Sequence, residues 1–334
     1  MKSFLLTAWK MLRFRSVLVL VLFMLLSVAL HTDSKLISAP YILAGIVMLA
    51  FSYLCATCVN DLVDWKIDLI NLKDNTERPL ANGSASRKQL VILAIIGAIV
   101  SIGVAFSLSL LIGVVMIVSI VLNTFYSLPP IRIAYRAILT PFYLSFCYVA
   151  VSYLIGYLLV NEAATASPFE WLYLLAFYSF FVARISLKDF RDRKGDAAAG
   201  KPTILSKYGK LTVILLSSSA ALTGTVILIY MSVSDIWILL TLIAFATSIG
   251  VVEYRLYHSK KLNQELLAVA YGARMGNGLL LTYFGWLLLK GSHASQDVLV
   301  IFMLTMIILY GYLFWMYLKY SEQFLIGGRR LKMK

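Results

Sequence analysis

Apolar residues recur along this chain in long runs separated by short polar segments rich in Lys, Arg and Asp. The runs fall at about 17–30, 41–59, 89–107, 109–126, 137–160, 170–187, 210–231, 235–252, 265–289 and 296–319. Most reach the roughly 17–25 residues that an α-helix needs to cross a bilayer. The pattern predicts an all-α integral membrane protein of nine to ten transmembrane helices, with residues 1–334 forming a single polytopic domain. The break at Ser107-Leu108-Ser109 is the weakest in the set. The run at 296–319 stands either as part of the core or as an addition to it.

Composition sharpens this reading. The chain is 61% hydrophobic and 14% charged, with a mean hydropathy of +0.85, whereas soluble domains carry about 25% charged residues. A formal charge of +14 would suit nucleic acid, but no basic domain stands apart from the apolar runs, so nucleic-acid binding is excluded. The charge follows topology instead. With ten spans and the N-terminus inside, 27 of the 30 Lys and Arg residues fall on the cytoplasmic side. Lys35 and Lys290 lie opposite, and Arg274 lies within a span. This asymmetry places both termini, and the loops after even-numbered spans, in the cytoplasm. Three cysteines exclude a disulfide framework. The Cys55-x-x-Cys58 pair, inside a predicted helix, reads as small packing residues.

Two polar groupings interrupt the pattern at span ends. Asn60-Asp61-x-x-Asp64-x-x-x-Asp68 follows the second run, and Lys188-Asp189-x-x-Asp192-x-x-x-Asp196 follows the sixth. Offsets of three and seven put each set of acids on one helix face. Each acid of the second set lies 128 residues after its counterpart, a weak internal repeat. Both sets follow even-numbered spans and so occupy the same membrane face. Clustered carboxylates need a counter-charge, and hard cations such as Mg²⁺ take one or two carboxylates plus substrate phosphates. Two acidic sets facing one cavity suit two Mg²⁺ ions bridging a diphosphate. The competing reading is of two ordinary solvated helix ends.

These motifs, with Arg78-Pro79-Leu80 and Tyr126-Ser127-Leu128-Pro129-Pro130-Ile131-Arg132 between them, resemble those of the UbiA-type membrane prenyltransferases, in that family's order. The resemblance runs from Val17 to the eighth or ninth span. It implies a helical bundle around a central cavity, with two Asp-rich cytoplasmic loops. It also implies Mg²⁺-dependent transfer of a prenyl group from a prenyl diphosphate donor to an acceptor. On this resemblance Asn60, Asp61, Asp64 and Asp68 hold one Mg²⁺, and Asp189, Asp192 and Asp196 a second. Asp61, Asp64, Asp189 and Asp192 are the implied catalytic acids. Arg78, Tyr126, Arg132 and Lys188 are the implied diphosphate ligands, Arg being suited by its bidentate donor fork. Pro129-Pro130 reads as a helix breaker that shapes the cap.

The lipid-soluble or aromatic acceptor is left open between an aromatic quinone precursor, which stands first, a glycerol-phosphate lipid and a sugar phosphate. Phe and Tyr rings facing the cavity would steady an allylic cation, but 18 Phe and 20 Tyr give no basis for choosing among them. Arg274 points either into the cavity or to the cytoplasmic face. The alternative function is a polytopic transporter that couples cations through the acidic clusters.

Overall fold

The structure, a computed structural model, describes residues 2–31, 38–71, 78–161, 171–232 and 235–319. Lys35, and Lys and Arg beyond residue 319, fall outside these, as does most of the acidic loop after Asn161. All regular structure among the described residues is helical. They form α1 (Lys2–Leu12), α2 (Phe14–His31), α3 (Ala39–Asn71), α4 (Arg87–Leu108), α5 (Leu110–Ser127), α6 (Leu139–Ser145), α7 (Val151–Val160), α8 (Trp171–Ser186), α9 (Lys188–Ala198), α10 (Ile204–Met231), α11 (Ile236–His258), α12 (Leu262–Gly291) and α13 (Gln296–Lys319). Eight stretches are long and apolar enough to cross a membrane, α6 and α7 counting as one. The pair α8–α9, bent by 46° at its break, makes a ninth. The remaining run, at 265–289, lies in α12, which has the length but carries Glu265, Arg274 and Asn277 among its apolar residues.

The weak turn at Ser109 is a real helix break with a chemical cause. The Ser109 hydroxyl accepts from the Ile112 N–H at 3.1 Å, while its own N–H donates to the Ala105 carbonyl at 3.2 Å. One serine thus ends α4 and caps α5. Ser86 and Gln89 form a reciprocal capping box at the start of α4, which satisfies two otherwise orphan groups.

By packing, the chain divides into two compact units. The first comprises Met1–Ala166 and Asp192–Ser206. Within it α3 packs on α4 and α5, α2 on α7, and the short α1 on α3. Small residues allow the close contacts. A Cβ on Gly97 would meet the Phe51 carbonyl oxygen at 2.7 Å, and one on Gly156 would strike the backbone of Met24. Cys55 and Cys58 are free and buried with Met11, Leu54, Leu90 and Leu93, so they serve as packing residues.

The second unit comprises Ser167–Arg191 and Lys207–Lys334. Here α12 packs on α8, α11 and α13. Its polar groups close on one another. The Glu253 carboxylate accepts from the Ser217 hydroxyl at 2.5 Å and from the Ser218 hydroxyl. Lys210 Nζ donates to Glu265 at 2.9 Å. Asp235 caps α11 and accepts from Trp286 Nε1 at 2.9 Å and Lys290 Nζ at 3.1 Å. Arg274 lies over the Tyr271 ring, 5.1 Å from its centroid, and Tyr271 in turn stacks near Tyr317 of α13.

Candidate active site

The first acidic motif stands on α3, which runs 33 residues without a break. At 1.5 Å per residue, Ala39 to Asn60 already covers about 32 Å, the thickness of the hydrocarbon core. The carboxylates therefore sit where the helix emerges from its apolar stretch. They are nonetheless buried, Asp61 being 1% exposed and Asp64 and Asp68 7% each. Buried carboxylates require partners, and three arginines from three other segments provide them.

Arg13 Nη2 donates to Asp61 Oδ1 at 2.5 Å. Arg78 Nη1 donates to the same oxygen and, at 2.7 Å, to Asp68 Oδ2. Arg132 Nη2 reaches Asp64 Oδ1 at 3.5 Å. Two of these arginines occupy the left-handed backbone region, Arg13 at φ 44° and Arg132 at φ 39°, which non-glycine residues adopt at a cost. Arg13 forms the joint between α1 and α2. That joint is fastened to α3 where the Thr57 hydroxyl donates to the Met11 carbonyl at 3.0 Å. Arg132 opens a 3₁₀ turn, Ile133–Tyr135, and lies over the Tyr135 ring at 3.7 Å.

Asn60 ties two motifs together. Its Nδ2 donates to Asp64 Oδ2 at 3.1 Å and to the Ser127 hydroxyl at 3.3 Å. Ser127 ends α5, and Leu128 leaves the helix in an extended conformation ahead of the two prolines, as expected of helix breakers. Buried Tyr126, beside it, lies within electrostatic reach of Asp64, Asp192, Asp196 and Lys201. Two acids of the second motif thus stand near the first motif's network. Asp196 also pairs with Lys201 at 3.3 Å. Asp192 and Asp196 belong to the first unit, while Lys188 and Asp189, on the opening turn of α9, group with the second.

Of the residues read from sequence, the first unit brings together Asn60, Asp61, Asp64, Asp68, Arg78, Tyr126, Arg132, Asp192 and Asp196. Sequence reasoning missed Arg13, Ser127 and Lys201 as members. Arg13 carries no distinguishing signal, because a basic residue ahead of a first span is what topology requires. Arg184 donates to Asn277 Oδ1 at 2.6 Å.

The donor chemistry suits a divalent cation without forming a closed cage. Among the described residues no three acids, histidines or cysteines converge as ligands. An i, i+3, i+7 spacing spreads three carboxylates over about 10 Å of helix, and arginines lie between them. Asp61 Oδ2, however, is a buried carboxylate oxygen without a hydrogen-bond partner. Mg²⁺ uses one or two protein carboxylates and completes its shell with phosphate and water, so this open set fits it.

Fold and site define a class: an integral membrane helical bundle with a buried acid–arginine network at the end of its second long span. The pattern of the UbiA prenyltransferase family matches residues 17–277, and the chain belongs to that family. It is 32% identical over 155 residues to a digeranylgeranylglyceryl phosphate synthase of Methanopyrus kandleri, covering 46% of this chain and 52% of that one. It is 29% identical over 163 residues to a homogentisate phytyltransferase of Synechocystis, covering 46% and 51%. The chain thus spans about half the length of these curated relatives. The fold is also that of a UbiA homolog from Archaeoglobus fulgidus solved with DMAPP and Mg²⁺, at a TM-score of 0.63 and 14% identity over 82% of this chain and 99% of that one.

Proposed function

We propose that this protein transfers a prenyl group from a prenyl diphosphate to a lipid-soluble or aromatic acceptor, with Mg²⁺ as cofactor. The observation that carries this reading is the buried acid–arginine network, in which Arg78 and Arg132 pair with Asp61, Asp68 and Asp64, with Asp192 and Asp196 within electrostatic reach of the Tyr126 phenol beside it. A site rich in both carboxylates and arginines matches a metal-bound diphosphate better than either charge alone would.

Asn60, Asp61, Asp64 and Asp68 would offer the ligands for one Mg²⁺, and Asp189, Asp192 and Asp196 those for a second, Asp189 on its sequence position in the motif. When bound, the metal neutralises charge on the diphosphate as the allylic C–O bond breaks. Arg78 and Arg132 are the chain's own diphosphate ligands, with Lys188 added on its sequence position. Their guanidinium groups neutralise the acids in this structure, and Arg132 Nε, buried and without a hydrogen-bond partner, is a donor available to a phosphate oxygen. The Tyr126 hydroxyl adds a hydrogen bond at the same end. The helices α2, α3, α5 and α7 pack on a dry apolar core that includes Met24, Met48, Met116 and Ile155, and a prenyl chain held among such apolar helices would be kept from the water that captures an allylic cation.

Orientation follows from the bias of Lys and Arg, with both termini and the site on the cytoplasmic side of the cell membrane. Two acceptor classes follow from the relatives, a glycerol-phosphate lipid and an aromatic quinone precursor such as homogentisate. The test uses purified protein, geranyl diphosphate and each acceptor in turn, with diphosphate release and product mass as readouts. Release should require Mg²⁺. Asp64→Ala and Asp192→Ala should each lower it by about a thousandfold or more, the range lost when charge stabilisation of a transition state is removed, with the protein still monodisperse. Full activity in both variants would rule the site out.

A further inference from the structure

The helix ahead of the first span, α1, has two faces of different kinds. Phe4, Ala8 and Met11 pack in the cluster that includes Leu54, Cys58 and Leu90, and Met11 is fully buried there. Leu5, Leu6 and Trp9 lie on the opposite face, each more than half exposed. Offsets of one and four keep these three side chains together on the helix. Phe14, which opens α2, is also more than half exposed and stacks on Trp9 with ring centroids 6.2 Å apart. Leu18, one turn further on, carries the exposed apolar surface along the first span.

Packing fixes the depth of α1. The Thr57 hydroxyl donates to the Met11 carbonyl, and Thr57 stands four residues, about 6 Å, before Asp61 on α3. Leu62 and Leu80, both past the apolar stretch of α3, pack on the same cluster as α1. The helix therefore lies at the edge of the hydrocarbon layer, on the side of the acid–arginine network. Arg13, at φ 44°, ends the α-helical backbone after Leu12 and separates α1 from α2. Charge there has one sign: Lys2, Lys10, Arg13 and Arg15 all precede the first acid, Asp33. Arg13 is engaged with Asp61, whereas Arg15 is exposed and Lys10 partly so. Lys10 follows Leu6 by four residues and so borders the apolar face. Leu and Trp on one face, with bases beside them, are the pattern of a helix that lies in a membrane interface.

We infer that α1 is an arm docked on anionic phospholipid, with Leu5, Leu6, Trp9 and Phe14 among the acyl chains and Lys10 and Arg15 at the headgroup phosphates. Two observations select lipid as the occupant. The exposed face runs without a break into the exposed side of a membrane span, and the charges that flank it are all basic. Because Arg13 joins this arm to Asp61, docking also steadies the first acidic motif. The arm lies ahead of residues 17–277, which the family pattern matches, and the inference is independent of the prenyl-transfer reading.

The experiment places the purified full-length protein in nanodiscs of phosphatidylcholine, with and without phosphatidylglycerol. A nitroxide is attached in turn to Leu6→Cys and Trp9→Cys, the native cysteines being buried. Both labels should relax more with oxygen than with a water-soluble nickel chelate, and to a similar extent, as expected at one depth in the interface. Phosphatidylglycerol should raise the melting temperature by a few degrees, and a variant carrying both Lys10→Gln and Arg15→Gln should lose most of that rise. Should Trp9→Cys fail to fold, Leu5→Cys reports on the same face. Labels that relax more with nickel in both lipids overturn the docking. Dipolar broadening between labels would assign the face to a second copy of the chain and overturn it likewise. No rise with phosphatidylglycerol, or a rise that the double variant keeps in full, overturns the choice of anionic lipid.

Discussion

Asp61-x-x-Asp64-x-x-x-Asp68 and Asp189-x-x-Asp192-x-x-x-Asp196 share a spacing, but the helices beneath them differ. The first set rides on α3, one unbroken helix of 33 residues, and is buried under arginines from three segments. The second follows a helix break at Leu187 and occupies the 11-residue α9, where Asp189 and Asp192 keep accessible surface and only Asp196 is buried. Its partner Lys201 comes from just five residues on. The first motif is thus tied to distant chain, while Asp196 of the second pairs within its own loop. Equal spacing has produced a buried half and a half-open one. Under the proposed function the buried half would be the rigid one that fixes the position of the leaving group, and the half-open one the adjustable half that adapts as its charge rises.

The largest effect that would break this comparison lies in stability. Asp61→Ala leaves the guanidinium groups of Arg13 and Arg78 buried without their shared oxygen. Removing one partner of a buried ion pair costs about 3–5 kcal/mol, so the melting temperature in detergent should fall sharply. Asp196→Ala removes one pairing, at 3.3 Å, with a single ammonium rather than an oxygen shared by two guanidinium groups, and the cost should be about 1–2 kcal/mol. Equal losses in the two variants would mean that both motifs are anchored alike.

How much of this was legible beforehand depends on whether a feature leaves a local trace. The spans were legible because crossing a bilayer demands a run of apolar residues, and even the doubtful break at Ser109 proved to be a serine capping two helices. The acids were legible because i, i+3 and i+7 is a helical face, and Arg78, Tyr126 and Arg132 because the family resemblance marked them. Arg13 was not. Its partner lies 48 residues away, and its charge already has a sufficient explanation in topology. The π-helical turn at Phe146–Ala150, between α6 and α7, was equally hidden, since those residues read as ordinary apolar helix. The separate fate of one spacing, buried on α3 and half-open on α9, depends on which neighbours pack above each helix, and spacing alone carries no record of that.

A middle-sized effect sharpens the comparison at Arg13. In a double-mutant cycle with Arg13→Met and Asp61→Asn, the coupling should be about 1–3 kcal/mol, the range for contacting charged groups. Arg13→Lys should restore only part of it, since one ammonium does not reproduce the planar fork. The readout is the detergent melting temperature of the four proteins, converted to stability. Coupling near zero would detach α1 from the site and reduce Arg13 to a topological charge.

The smallest expected effect lies at the seam between the first motif and the end of α5. Ser127 accepts from Asn60 Nδ2 at 3.3 Å, and Asn60 in turn donates to Asp64. Ser127→Ala removes one neutral hydrogen bond, worth about 0.5–1.5 kcal/mol, and leaves both acidic motifs and every arginine in place. Stability should change by less than the error on the Asp61 variant. Turnover should still fall about threefold, because the amide that orients Asp64 loses its second anchor. Asp64 belongs to the rigid half of the site, where a small loosening shows directly in the rate. The matching control is Thr203→Val, which disturbs a hydrogen-bonded turn with Ser206 in the loop after α9. That loop belongs to the adjustable half, and the rate should hold there. A larger loss from Thr203→Val than from Ser127→Ala would reverse the assignment of which motif is rigid.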